Sequence, residues 1–129
     1  MEAAAAHLPR AYRRLGYAAL ALVLVALIVF QYLRHDVGWW PALAFGLGPD
    51  LPLLLGAGKG LERGQIHPRA VLLYNLAHRF WSPLALGIVA VAAGLPAAYV
   101  VGALAWATHI AVDRSLGYSL RTRDGFQRS

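Results

Sequence analysis

The sequence predicts an all-α fold, a four-helix transmembrane bundle with both termini in the cytoplasm, and three observations carry that expectation. Four apolar runs follow one another at residues 15–33, 37–55, 70–93 and 97–113. Hydrophobic residues make up 59% of the 129 and charged residues 14%, where an average soluble domain carries about 25% charged residues. The basic residues stand in short groups at the ends of the apolar runs, the pattern that orients a membrane protein. A formal charge of +6 would otherwise suit nucleic acid, but scattered flanking groups make no continuous basic face, so the bilayer is the partner expected and nucleic acid is not. The chain has room for a single domain, residues 1–129.

The first run carries no charge, and its only strongly polar side chain is Gln31. Residues 15–33 rise about 28 Å as a helix, enough for a hydrocarbon core of about 30 Å. Arg10, Arg13 and Arg14 precede the run as they would in a signal peptide. The core is too long for one, however, and Gln31-Tyr32-Leu33-Arg34-His35-Asp36 offers no small-residue cleavage site. Arg34-His35-Asp36 is a polar turn, and Trp39-Trp40 suit a membrane surface. The second run, 37–55, is interrupted by Pro41, Pro49 and Pro52, so Pro49-Asp50-Leu51-Pro52 reads as a broken helix end facing protein.

Residues 56–69 form the one long loop, rich in glycine but without the strand context of a phosphate-binding motif. The third run, 70–93, contains Asn75, His78 and Arg79. Started after Arg79 it would be too short to span, so the expected helix includes both His78 and Arg79. Gly94-Leu95-Pro96 is a turn. The fourth run, 97–113, carries Gly102, Ala103, Ala105 and Ala107, small residues that allow close packing, and residues 114–129 form a polar, basic tail. Lys and Arg number three before the first run, one in the first turn, three in loop 56–69, none in the second turn and four in the tail, Arg79 being the twelfth. The positive-inside rule then places both termini and loop 56–69 in the cytoplasm of a multi-pass protein.

This topology brings ionisable groups from three helices to one layer. Helix rise alone sets Asp50 about 8 Å, and His78 about 13 Å, in from the cytoplasmic side, with His109 about 6 Å inside Asp113. Charges in a bilayer are costly and normally face the bundle interior and pair. His109 and Asp113 are four residues apart, one turn apart on one helical face. The plainest reading pairs Arg79 with Asp50, makes Asn75 an interhelical bridge, and leaves Asp113 a cap or a partner of Arg114. The sharper reading is a site for a divalent metal, zinc or manganese, with Asp50, His78, His109 and Asp113 as ligands and Asn75, Arg79 and Arg114 in support. Without cysteine, any metal must rest on such groups.

Pro49-Asp50-Leu51, Tyr74-Asn75-Leu76-Ala77-His78, His109-Ile110-Ala111-Val112-Asp113-Arg114, and Leu116-Gly117-Tyr118-Ser119-Leu120 followed by Gly125-Phe126 resemble together the bacterial integral membrane family called domain of unknown function 4260. The resemblance runs from the first helix to Phe126 and implies the bacterial cell membrane as location. Ser119 departs from the glycine usual there, and Gln127-Arg128-Ser129 replaces a customary Thr-His, so any ligand role of that tail histidine is missing here. The family name implies no activity. A weaker likeness, on Pro49-Asp50, His78-Arg79 and His109 with Asp113, links the chain to membrane-bound metal-dependent hydrolases. That likeness implies a metal-bound water as nucleophile, with Arg79 steadying an anionic head group.

Three functions stand in order: an accessory or structural membrane protein with a buried polar site, alone or with a membrane-protein partner or second copy; a metal-dependent hydrolase of a lipid or lipid-linked substrate; and a protein handling protons or ions. The absence of paired broken segments in corresponding halves argues against transport.

Overall fold

The computed structural model describes residues 9–128; residues 1–8, the start of the basic lead-in, and Ser129 lie outside the described residues. Every regular element among the described residues is helical, with no strand beyond one isolated antiparallel bridge between Arg121 and Gln127. Helix α1 spans Arg10–Arg34, 25 residues. It begins before residue 15 because Pro9, fixed in an extended conformation, ends the preceding chain while its carbonyl accepts from the Tyr12 and Arg13 amides. Arg34 occupies the last turn, where the helix dipole favours a cation. The Tyr32 hydroxyl then closes the polar turn by donating to the Gly38 carbonyl at 2.8 Å.

The second run is broken, as its prolines imply. Helix α2, Trp40–Leu47, passes into a 3-10 turn at Gly48–Asp50 and then a short helix α3, Pro52–Leu55. Neither Pro49 nor Pro52 can donate to an α-helical ladder, and the tighter turn between them sets Asp50 facing the rest of the molecule. Loop 56–69 is held by Arg69, whose guanidinium donates to the Leu55 and Ala57 carbonyls at 2.7 and 2.9 Å.

The third run departs from expectation. It is not one helix over 70–93 but α4, Val71–Ala77, and α5, Trp81–Ala92, separated at His78, Arg79 and Phe80. Pro83 explains the break: it lacks the amide that would continue the ladder, and its ring would collide with the Arg79 carbonyl one turn back. Three carbonyls at the break are taken by side chains. Ser82 Oγ donates to Leu76 at 2.5 Å, Trp106 Nε1 to Ala77 at 2.6 Å and Arg114 Nη2 to His78 at 3.1 Å. Such groups, if left unpaired away from water, would cost about 1–3 kcal/mol each.

Helix α6, Ala97–Ser115, is the central element and packs against α1, α2 and α5. Its small residues make this close approach possible: Gly102, Ala103 and Ala105 are buried, and a Cβ at Gly102 would meet the Phe45 ring of α2. The tail after α6 is ordered and folds back, with Thr122 donating to Phe126 at 2.7 Å and Arg128 to Leu120 at 2.9 Å. It docks on loop 56–69 through Ile66 N–H to Gly125 O at 3.0 Å. Only glycine fits at 125, where φ is +96° and a Cβ would run into the Ile66 carbonyl. Ile66, Ala70, Val71 and Tyr74 make a small buried cluster there.

Among the described residues one helix, α1, is long and apolar enough to cross a membrane alone; Trp40–Leu55 and Trp81–Ala92 are apolar but shorter. The four apolar runs thus correspond to one long helix, two segmented runs, of which only the third run was expected unbroken, and the central α6.

Candidate metal centre

Three local structures deliver the centre. One turn of α6 supplies His109 and Asp113, the 3-10 turn between Pro49 and Pro52 supplies Asp50, and His78 caps the C-terminus of α4 at the break. Asp50 Oδ1 lies 3.2 Å from His78 Nε2 and 3.2 Å from His109 Nε2. Asp113 Oδ2 lies 3.2 Å from His78 Nε2 and 3.4 Å from His109 Nε2. All four atoms fall within 4.8 Å of one another.

The remaining ring nitrogens fix what these contacts mean. His78 Nδ1 is 2.9 Å from the Tyr74 carbonyl and His109 Nδ1 is 2.7 Å from the Gly46 carbonyl. A carbonyl can only accept, so each Nδ1 carries its proton and donates it. A neutral imidazole then presents a bare lone pair at Nε2, toward carboxylate oxygens that are also acceptors. Four acceptors converge with no donor among them unless cations intervene. Two imidazolium protons would serve, and so would one divalent ion, which also neutralises the two carboxylates. Backbone carbonyls that orient ligating histidines through Nδ1 are the common outer support of metal sites.

The spacing suits a metal. Bonds of about 2.0–2.1 Å in a tetrahedron imply ligand-to-ligand edges of about 3.3–3.4 Å, and slightly longer bonds at right angles imply edges close to about 3.1 Å. The four histidine–aspartate edges, 3.2 to 3.4 Å, are compatible with a shared ion and equally with N–H···O hydrogen bonds from imidazolium rings, while the two remaining edges are bounded only at 4.8 Å. Burial is graded: the side chains of His78 and His109 are 3% and 11% exposed, Asp113 22% and Asp50 47%. The centre is therefore sealed on the histidine side and reachable at Asp50.

The supporting residues are distributed differently. Arg114 braces the centre through the His78 carbonyl. Arg79 is exposed and makes no ion pair among the described residues; the two histidines occupy the place beside Asp50 where it was expected. Asn75 does not bridge helices. Its amide holds the tail, donating to Arg121 O at 3.0 Å and accepting from Arg121 N at 2.7 Å. Tyr74 enters the sequence reading only as part of the family motif, without a role of its own; it stands one helical turn before His78, and its ring stacks on the imidazole at 4.0 Å between centroids.

No characterised protein and no solved structure is significantly similar to the chain. A family model does match, described as domain of unknown function (DUF4260), over residues 14–129, a stretch that includes all four centre residues. The chain belongs to that family.

Proposed function

We propose that this is an integral membrane protein whose Asp50, His78, His109 and Asp113 hold one divalent cation on its cytoplasmic side. The observation that carries the reading is the orientation of the histidines: both Nδ1 atoms are committed to carbonyls, so both Nε2 atoms face the two carboxylates, an arrangement that a cation between them must satisfy. The ion ties α6 to both segmented runs, the task of an accessory or structural centre.

The membrane part of the reading is supported by where apolar surface lies. Leu33, Trp81 and Leu54 are 81%, 76% and 75% exposed, and most of α1's large apolar side chains are likewise uncovered. Arg14 Nε donates to Ser115 O at 2.7 Å, joining the start of α1 to the end of α6, and Arg121 donates to Gly64 O at 2.8 Å, joining tail to loop. The basic lead-in and tail thus meet at one end, and the basic loop is tied to that tail, which favours both termini and the loop in the cytoplasm. In this reading α2–α3 and α4–α5 are broken crossings whose irregular backbone faces protein.

A hydrolytic role is the second reading, favoured by the half-exposed Asp50. An ion reachable there would lower the pKa of a bound water. No further carboxylate or histidine joins the cluster among the described residues to act as a separate base.

Elemental analysis of protein purified without chelator and without a histidine tag tests the proposal. One equivalent of zinc or manganese, lost in His78→Ala and in His109→Ala, is expected. Metal-free protein whose melting temperature does not respond to either ion removes the centre and the hydrolase reading with it.

A further inference from the structure

Beside the centre, on the same end of the molecule, lies a cavity of about 270 Å³ lined by Arg10, Arg13, Arg14, Arg114 and Arg128 with Tyr17 among its walls. No carboxylate lines it among the described residues. Five arginines lining one hollow concentrate positive charge there, and their mutual repulsion is relieved by a multivalent anion. Two of them are already positioned by the backbone, Arg14 on Ser115 O and Arg114 on His78 O. Their remaining N–H groups suit the oxygens of a phosphate, which arginine binds in forked pairs.

The cavity has an apolar neighbour. A groove of about 720 Å³, lined by residues including Leu20, Leu24, Leu84, Ile88 and Leu104, runs between α1, α5 and α6. The two meet at one aromatic pair: Tyr17 lines the basic cavity, Phe80 lines the groove, and their rings stack at 6.1 Å and 7°. A strongly basic hollow joined to an apolar groove is shaped for a single amphiphile.

We propose that this double cavity binds a lipid with a phosphomonoester head group, the phosphate among the five arginines and a hydrocarbon chain along the groove. Charge selects the class. A phosphomonoester carries about −1.5 to −2 near pH 7, whereas a phosphodiester lipid carries one negative charge, a poorer match for five cations. The inference rests on the membrane reading and is independent of the metal.

Protein in detergent is titrated with phosphatidic acid, phosphatidylglycerol and phosphatidylcholine, and binding is followed by native mass spectrometry. Phosphatidic acid is expected to bind one to one, about tenfold more tightly than phosphatidylglycerol. Arg13→Gln with Arg128→Gln, both exposed positions, should abolish that preference. Leu84→Trp, which fills the groove, should weaken long-chain but not short-chain phosphatidic acid. Melting temperature without lipid controls for folding, and a variant melting well below the parent is replaced by Arg10→Gln with Arg13→Gln. Equal binding of both anionic lipids, or an unchanged preference in the arginine variant, overturns the proposal in favour of a general basic surface. Displacement by equimolar inorganic phosphate overturns it in favour of a soluble anion. His78→Ala with His109→Ala run in parallel keeps the two readings apart: lipid binding should survive there while metal is lost. Protein that leaves the membrane fraction without detergent defeats the membrane reading instead.

Discussion

Asn75 pairs with the backbone of Arg121 on both sides, accepting its N–H at 2.7 Å and donating to its carbonyl at 3.0 Å, as a neighbouring strand would. One side chain in α4 thereby fixes the register of the tail. Asn75→Ala leaves both groups without their partner and is expected to destabilise the docked tail by about 1–3 kcal/mol. Limited trypsin digestion should then cleave after Arg121 and Arg123 faster than in the parent protein. Unchanged cleavage would mean that the tail is held without Asn75, by Ile66 N–H to Gly125 O and by Gln65 Nε2, which donates to Asp124 O at 2.8 Å.

The metal centre should be acid-sensitive, with a definite sign. Ligation needs both imidazoles neutral and both carboxylates ionised, so protons compete with the ion and retention falls as pH falls. Dialysis at stepped pH followed by elemental analysis checks this. Retention that rises on acidification would contradict histidine ligation.

Two neighbouring arginines should behave oppositely. Arg79 is exposed with no ion pair among the described residues, so Arg79→Leu should alter stability by no more than about 0.5 kcal/mol. Arg114→Leu takes the donor from the His78 carbonyl and should cost about 1–3 kcal/mol. Thermal unfolding in detergent separates them; a larger loss at Arg79 would restore the ion pair first expected for it.

Topology is open to a direct measurement. Reporters fused after Gly60 and at the C-terminus should both read cytoplasm, and one placed after Asp36 should read the outside. An outside signal at Gly60 would reverse the second crossing.

The parts of the fold governed by local chemistry were legible in the sequence. The spacing of His109 and Asp113 places both on one face for any helix, and Pro49 with Pro52 announces the irregular turn that presents Asp50. The break after Ala77 was less legible because apolar length argued for one span. Its local signal is Pro83, within the first turn of the new helix, which an argument from apolar length does not register. The role of Asn75 could not be seen at all, because its partner lies 46 residues away and is backbone, which no side-chain pattern marks. Arg79 was misplaced for a related reason. Its neighbours depend on which way the chain turns at His78, and a continuous helix turns it differently from the broken one.

The break in the third run has a consequence for the order of assembly. Of its three freed carbonyls, only that of Leu76 is served from nearby, by Ser82; those of Ala77 and His78 wait for Trp106 and Arg114. Asp50 and His78 likewise lack His109 and Asp113 until α6 arrives. A nascent chain that has delivered only the first three runs therefore holds an incomplete hinge, and α6, which follows them, is the helix that locks the earlier segments.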